Sequence, residues 1–330
     1  MVPNPPGAPV AADQEVPRPA ATVMVVRDGD GDGDGDGDRV GAGAPESSIE
    51  VLVLRRNLRS DFVGGVYVFP GGAVDEDDGR AEAMARCAGR SDADASRLLG
   101  LPVGGLAYWV AAVRESFEEA GLLLATRSDG GLVSLEEPGD QVRFQAHRDA
   151  LNAGERTFLE ICAAEDLLVA AGEIHYFAHW ITPLGAPRRY DTRFFVTRAP
   201  AGQEAVHDAG ETIADAWVRP ADALARHRAG EIDLILPTVM NLQAVMRFAS
   251  CDALLDAART EADRVPTTEP RVIAEGNGVR IVLPGDPGYD AAPEPGEIAG
   301  TPAGRDPAAM QEAIRQISRA ANRPGTGEQA

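Results

Sequence analysis

The chain has 330 residues and carries 52 acidic against 31 basic side chains, a formal charge of −21. Such a field repels nucleic-acid phosphates and excludes sequence-independent nucleic-acid binding. The sequence contains no lysine, which removes lysine Schiff-base chemistry and the P-loop lysine.

Residues 1–20 and 296–330 are rich in Pro, Gly and Ala and read as tails, leaving one α/β domain over 21–259 and an extension over 260–295. Cys87, Cys162 and Cys251 are odd in number and show no CxxC spacing, which argues against a disulfide framework or a zinc site. The start has no cationic segment followed by an apolar one, and PVGGLAYWVAAV is too short to span a bilayer. A soluble, cytoplasmic protein without a membrane partner is expected.

In chain order, ATVMVV (21–26) and SIEVLVLRR (48–56) read as a strand pair around an Asp-Gly repeat, taken with its flank (28–47) as an acidic solvated loop rather than an EF-hand. GVYVFP is a third strand running into a Pro-Gly-Gly turn at 70–72, and residues 79–105 read as an insertion with one short helix around 81–88. From Leu106 the apolar residues Val110, Val113 and Phe117 recur at helical spacing until Gly121.

Further on, a helix pair breaks near Asn152–Gly154, strands cover EIHYFAHWITP and RRYDTRFFVTR, and TIADAWV is a strand before a helix opened by Pro220. Pro237 to Arg259 reads as one longer helix, and RVIAEGNGVRIVL as a hairpin around Gly-Asn-Gly. Short interleaved strands and helices indicate a mixed α/β layer architecture.

The helix from Leu106 carries VRESFEEAG. At about 100° per residue Glu115, Glu118 and Glu119 share one face, opposite Leu106, Val113 and Phe117. Three like charges there cost stability unless a cation offsets them. Arg114 can pair with Glu118, and a hard divalent cation suits the remainder; a solvated acidic face is the alternative.

Arg114, Glu115, Glu118, Glu119 and Gly121, following a strand that ends in Pro-Gly-Gly, resemble the Nudix hydrolase signature G-x5-E-x7-R-E-U-x-E-E-x-G-U. The signature's first glycine precedes its arginine by 14 positions; here 114 − 72 = 42, an excess of about 28 residues. The signature's first glutamate has no clear counterpart, since counting forward from Gly72 reaches Asp78 and counting back from Arg114 reaches Leu106, and the aliphatic position after the Arg-Glu pair is Ser116. Asp78 is therefore either a shortened stand-in for that glutamate or the solvated mouth of the insertion. The interrupted box, with HWITP and RRYDTRFF downstream, is similar to the branch of coenzyme A and acyl-CoA diphosphatases. The last residues, GEQA, lack the peroxisomal tripeptide.

The resemblance implies a Nudix-type mixed β-sheet sandwiched between helices. It implies hydrolysis of a nucleoside diphosphate derivative with Mg²⁺ or Mn²⁺, a CoA derivative favoured, giving 3′,5′-ADP and (acyl-)4′-phosphopantetheine. Hydrolysis of ADP-ribose or a dinucleotide, or a non-catalytic binding or regulatory module, are the alternatives. Glu115, Glu118, Glu119 and the Gly72 backbone would hold metal, and Arg114 would orient the glutamates. Glu115 or the loop acid Glu211 would serve as general base, with Glu204 a third candidate. Arg188, Arg189 and Tyr190 either hold a 3′-phosphate and adenine or form a salt-bridged strand end. His175, His179 and His207 have no metal-ligand spacing and read as structural.

Overall fold

The computed structural model describes residues 16–29, 48–57, 65–127, 130–183, 186, 188–208, 210–275, 278–292, 318–319 and 321–322. The Asp-Gly repeat from 30 onward lies outside them. One large mixed sheet organises the molecule. Its central strand β1 (Arg18–Asp28) runs antiparallel to β2 (Ile49–Arg56) and parallel to β8 (Tyr190–Arg198). β2 pairs in turn with β3 (Tyr67–Val68) and β9 (Thr212–Val218). On the other side β8 pairs antiparallel with β7 (His175–Ile181), and β10 (Thr267–Thr268) closes that edge parallel to β7.

The runs TVMVV and VLVL alternate between two faces, and both faces are buried, as expected of strands with no polar alternation. Ala21, Val23, Val25, Leu52 and Leu54 point into a core built around α3 (Leu106–Ala120). Met24, Val26, Val51 and Val53 point into a second core covered by α6 (Pro220–Ala229), α7 (Leu236–Val245) and α8 (Cys251–Glu261). The chain is thus a sheet between helical layers.

Several sequence expectations are corrected. The Pro-Gly-Gly segment is not a turn: Gly71–Ala73 is a strand, β4, antiparallel to the first half of β1. The N-terminal tail ends earlier than residue 20, because pairing with β8 begins at Arg18. The insertion forms two helices, α1 (Ala81–Met84) and α2 (Asp92–Leu99), the second capped by the Ser91 side chain. The single helix expected over 237–259 is two, since Ser250 caps a new start by accepting from the Ala253 N–H.

The remaining helices are α4 (Pro138–Asn152) and α5 (Phe158–Ala164), flanked by the small pair β5 (Ala125–Thr126) and β6 (Leu168–Val169). The boundary drawn at 259 does not separate the extension, because β10 adds to the main sheet; β11 (Arg271–Glu275) and β12 (Gly278–Val282) follow as a hairpin. Within 296–330, read as a flexible tail, Asn322 is buried and donates to Leu224 O while accepting from Arg228. The cysteines form no disulfide. No helix among the described residues is long and apolar enough to cross a membrane.

Candidate active site

The two halves of the interrupted motif meet in space. Asp78, on a single turn after β4, is buried, and its two oxygens accept from Arg114 Nε and Nη2 at 3.0 and 2.9 Å. This settles the choice left by the sequence: Asp78 faces the arginine, and the insertion leaves and returns without parting them. Arg114 Nη2 also donates to Ala73 O, and Nη1 donates to Glu115 Oε1 at 2.9 Å and Glu118 Oε2 at 3.1 Å. Burial alone would weaken the arginine's hold on its proton, but hydrogen bonding to Asp78 and the charges of Glu115, Asp78 and Glu118 outweigh it and keep the guanidinium charged.

The acidic face is not solvated. Every residue of α3 except Glu118 is buried, because the helix lies between the sheet on one side and α4, Val206 and Thr212 on the other. Burial pushes the Glu115 carboxyl up to about 7, against the pull of Arg114. Burial and the neighbouring Glu115 hold Glu119 well above the usual carboxylate range, although the Gly71 N–H donates to it at 2.9 Å. Arg148, buried on α4, donates from Nε to Glu118 O and closes the C-terminus of α3, where Gly121 takes φ +69°.

β4 is glycine-rich because of close approach rather than turning. A Cβ on Gly71 would stand 2.5 Å from Ala21 O and 2.6 Å from Thr22 Cα; one on Gly72 would stand 2.4 Å from Glu115 Oε1. The two alanine variants should therefore separate. Gly71→Ala collides with backbone and should destabilise by about 2 kcal/mol. Gly72→Ala should leave Tm within about 2 °C, since a side chain can yield, yet cut kcat at least about tenfold as Glu115 is displaced. Melting curves beside initial rates check both.

A cleft of about 600 Å³ opens here, lined by Gly71, Gly72, Glu115, Glu118 and Glu119. Glu211 lines it too, its backbone fixed by Asn57 N–H donating to its carbonyl and by its own N–H donating to Asp208. Glu204 is exposed and does not line the cleft. Arg188 and Tyr190 line it, but Arg189 does not: it is buried, donating to Thr182 O and pairing with Glu269 at 2.8 Å. His179 bonds Asp191 and Thr267, and His207 bonds Asp215. Arg56, at the end of β2, and Asp208 also line the cleft. Neither belongs to a motif; only the fold of β2 and β9 brings them there.

Among the described residues no three His, Cys, Asp or Glu side chains converge as a ready metal cage. The hydrogen bonds explain it, since Glu115 and Glu118 are turned onto Arg114 and Glu119 onto Gly71 N–H. The donor set nevertheless fits a hard divalent cation. Asp75, Asp78, Glu115 and Glu118 pair with one guanidinium, Glu119 stands next to Glu115 in the same cleft, and burial has raised the proton affinity of the three glutamates.

A family model, the NUDT19 Nudix domain, matches residues 93–245. The acyl-coenzyme A diphosphatase NUDT19 of Gallus gallus is 30% identical over 285 residues, covering 74% of this chain and 74% of that protein. The Homo sapiens protein of the same name is 28% identical over 278 residues, covering 74% and 73%. Among solved structures, a NUDIX hydrolase from Alicyclobacillus acidocaldarius is similar with a TM-score of 0.53 and 28% identity, over 73% of this chain and 96% of that one.

Proposed function

The chain belongs to the Nudix hydrolases, enzymes that cleave diphosphate bonds and generally need a divalent metal, and from that premise we propose that it hydrolyses the diphosphate of CoA or acyl-CoA to 3′,5′-ADP and (acyl-)4′-phosphopantetheine. The observation that carries this reading is the buried Asp78–Arg114–Glu115–Glu118 network beside Glu119 and the cleft. Such a charged cluster is costly for a protein that merely binds. The names of the vertebrate relatives point to the substrate.

Glu115, Glu118 and Glu119, with the backbone at Gly72, would hold Mg²⁺ or Mn²⁺. Such an ion would offset charge on the phosphoryl oxygens and make water more acidic. The protein's own share is positional. Arg114 fixes the carboxylates from behind and stays out of the substrate. The strand β4 brings bare backbone against the diphosphate. Glu211 takes the proton of the attacking water: it lines the cleft, and its charge acts on both Glu115 and Glu119.

Arg188 and Tyr190 hold the 3′-phosphate and the adenine, a role that the buried Arg189 does not share. Arg188→Ala should raise KM for CoA by about tenfold while changing KM for dephospho-CoA little; equal effects on the two would remove the 3′-phosphate assignment. The reading as a whole is tested by incubation with CoA, acetyl-CoA, ADP-ribose and a diadenosine polyphosphate. Release of 3′,5′-ADP from the first two at the highest kcat/KM is expected. Preference for either of the others would sink the CoA assignment.

A further inference from the structure

The N-terminus of α7 faces the cleft. Leu234 bridges Tyr67 of β3 in parallel, and the Tyr67 N–H donates to Asp233 O at 2.9 Å, so the chain enters α7 from a fixed position beside β3. Ile235, Leu236, Pro237 and Thr238, the N-cap and first turn of that ten-residue helix, all line the cleft. Gly71 follows Val68, the last residue of β3, by three positions, at most about 11 Å of chain. Arg188 and Tyr190 lie on the far side, beyond β1, where β8 begins.

That helix end is uncapped. Ile235 at the N-cap has no side-chain oxygen, no acid stands in the first turn, and Pro237 has no N–H. Among the described residues the N–H groups of Leu236 and Thr238 find no acceptor. Thr238 adds a further donor: it is 1% exposed, it lines the cleft, and among the described residues its hydroxyl has no hydrogen-bond partner. One turn on, Asn241 is buried with its amide nitrogen unpartnered. Buried polar groups are almost always satisfied, so donors left open in the wall of a cleft call for a ligand.

The ligand these donors suit is an anion. Five carboxylates line the cleft, at 115, 118, 119, 208 and 211, against the two guanidinium groups of Arg56 and Arg188. A diphosphate entering there needs positive potential besides that of a metal ion. A helix N-terminus supplies about half an elementary charge together with its free N–H groups. We propose that the N-terminus of α7 and the Thr238 hydroxyl form the subsite for the phosphoryl group on the pantetheine side of the diphosphate. The proposal rests on the diphosphatase reading and deepens it. With the 3′-phosphate and adenine at Arg188 and Tyr190, the adenosine half lies over β8, and the other phosphoryl group comes to α7, across Gly71 and Gly72 from it.

The test measures Kd of the metal-free protein for 4′-phosphopantetheine and for 3′,5′-ADP, beside melting curves. Thr238→Val keeps the shape and removes the hydroxyl. It should weaken 4′-phosphopantetheine about tenfold, the loss expected for one hydrogen bond to a charged group, and change 3′,5′-ADP less than about twofold. Its Tm should be no lower than that of wild type, since the hydroxyl it removes has no partner in the protein. Thr238→Ser, which restores the hydroxyl, should bind within about threefold of wild type. Ile235→Asp puts a carboxylate at the N-cap, where it takes the free N–H groups for itself; it should weaken 4′-phosphopantetheine at least about thirtyfold, and Ile235→Ala less than about threefold. Unchanged binding of 4′-phosphopantetheine in Thr238→Val, or equal losses for the two ligands, would overturn the subsite while leaving the hydrolase intact. Should Thr238→Val melt early, Ile235→Asp against Ile235→Ala decides by the same comparison. Cleavage of ADP-ribose rather than CoA, with Thr238→Val weakening ribose 5-phosphate and not AMP, would sink the CoA assignment and keep the subsite. A wild type that binds neither 4′-phosphopantetheine nor ribose 5-phosphate overturns it.

Discussion

Glu119→Gln should abolish most of the activity and raise the stability of the metal-free protein. Glutamine keeps the shape and an oxygen for the Gly71 N–H, which donates at 2.9 Å to the carboxylate, but it brings no negative charge. A loss in kcat of about a hundredfold to a thousandfold is expected for removing one preorganised charge at a phosphoryl-transfer site. The stability change has the opposite sign. Burial and the adjacent Glu115 raise the proton affinity of Glu119 in the folded state, so ionising it costs stability. A carboxylate whose folded pKa lies above its unfolded value adds no penalty below the unfolded value and destabilises increasingly above it.

For Glu115 that window runs from 4.5 to about 7. Metal-free wild type should therefore lose stability as pH rises through it, and Glu119→Gln should lose less. At pH 7.5 the variant should melt about 3–6 °C higher. A variant as active as wild type would remove Glu119 from the metal site, and one that melts lower would contradict the electrostatic account.

Asp78→Ala should have the largest effect on stability. It strips two hydrogen bonds from a buried guanidinium, and breaking a buried pair from one side costs about 3–5 kcal/mol. At this chain length that corresponds to about 10 °C in Tm. The neighbouring exposed pair Asp77–Arg80 is a built-in control, with side chains 45% and 60% exposed; Asp77→Ala should cost less than about 1 kcal/mol. Activity should fall with Asp78→Ala as well, because Arg114, released from Asp78, no longer fixes Glu115 and Glu118. Asp78→Asn, keeping one acceptor oxygen, should lie between. A Tm for Asp78→Ala within about 2 °C of wild type would mean that the displaced half of the motif is not what holds the arginine.

The parts of this fold written in local chemistry were legible in the sequence. The α3 periodicity, Gly121 at its end, and the apolar runs of β1 and β2 each declared an element without help from the rest of the chain. The second half of the motif was equally plain. What the helical wheel could not reveal was that the acidic face of α3 is buried, since periodicity reports which side is apolar and not what packs on the other.

Asp78 was reached by counting from Gly72, but counting could not separate a buried partner of Arg114 from a solvated acid. The Pro-Gly-Gly segment misled for a different reason: glycine serves both turns and close approach, and only the distances to Ala21 and Glu115 show which applies. Ser250 looked like one polar residue in a helix of 23 positions, whereas its side chain caps a new one. Arg188 and Arg189 sit side by side in the sequence, yet the alternation of a strand start sends one to the cleft and the other to Glu269. The β10 edge depends on a pairing across some ninety residues, beyond the reach of any local pattern.

The central claim is that an interrupted motif reassembles into a metal-dependent diphosphatase site. The most direct test is release of 3′,5′-ADP from CoA by metal-stripped protein as Mg²⁺ or Mn²⁺ is titrated in, with Glu119→Gln in parallel. We expect no release in chelator, saturable activation by metal in the wild type, and almost none in the variant. Release that is indifferent to chelator, or no release from CoA at any metal concentration, would contradict it.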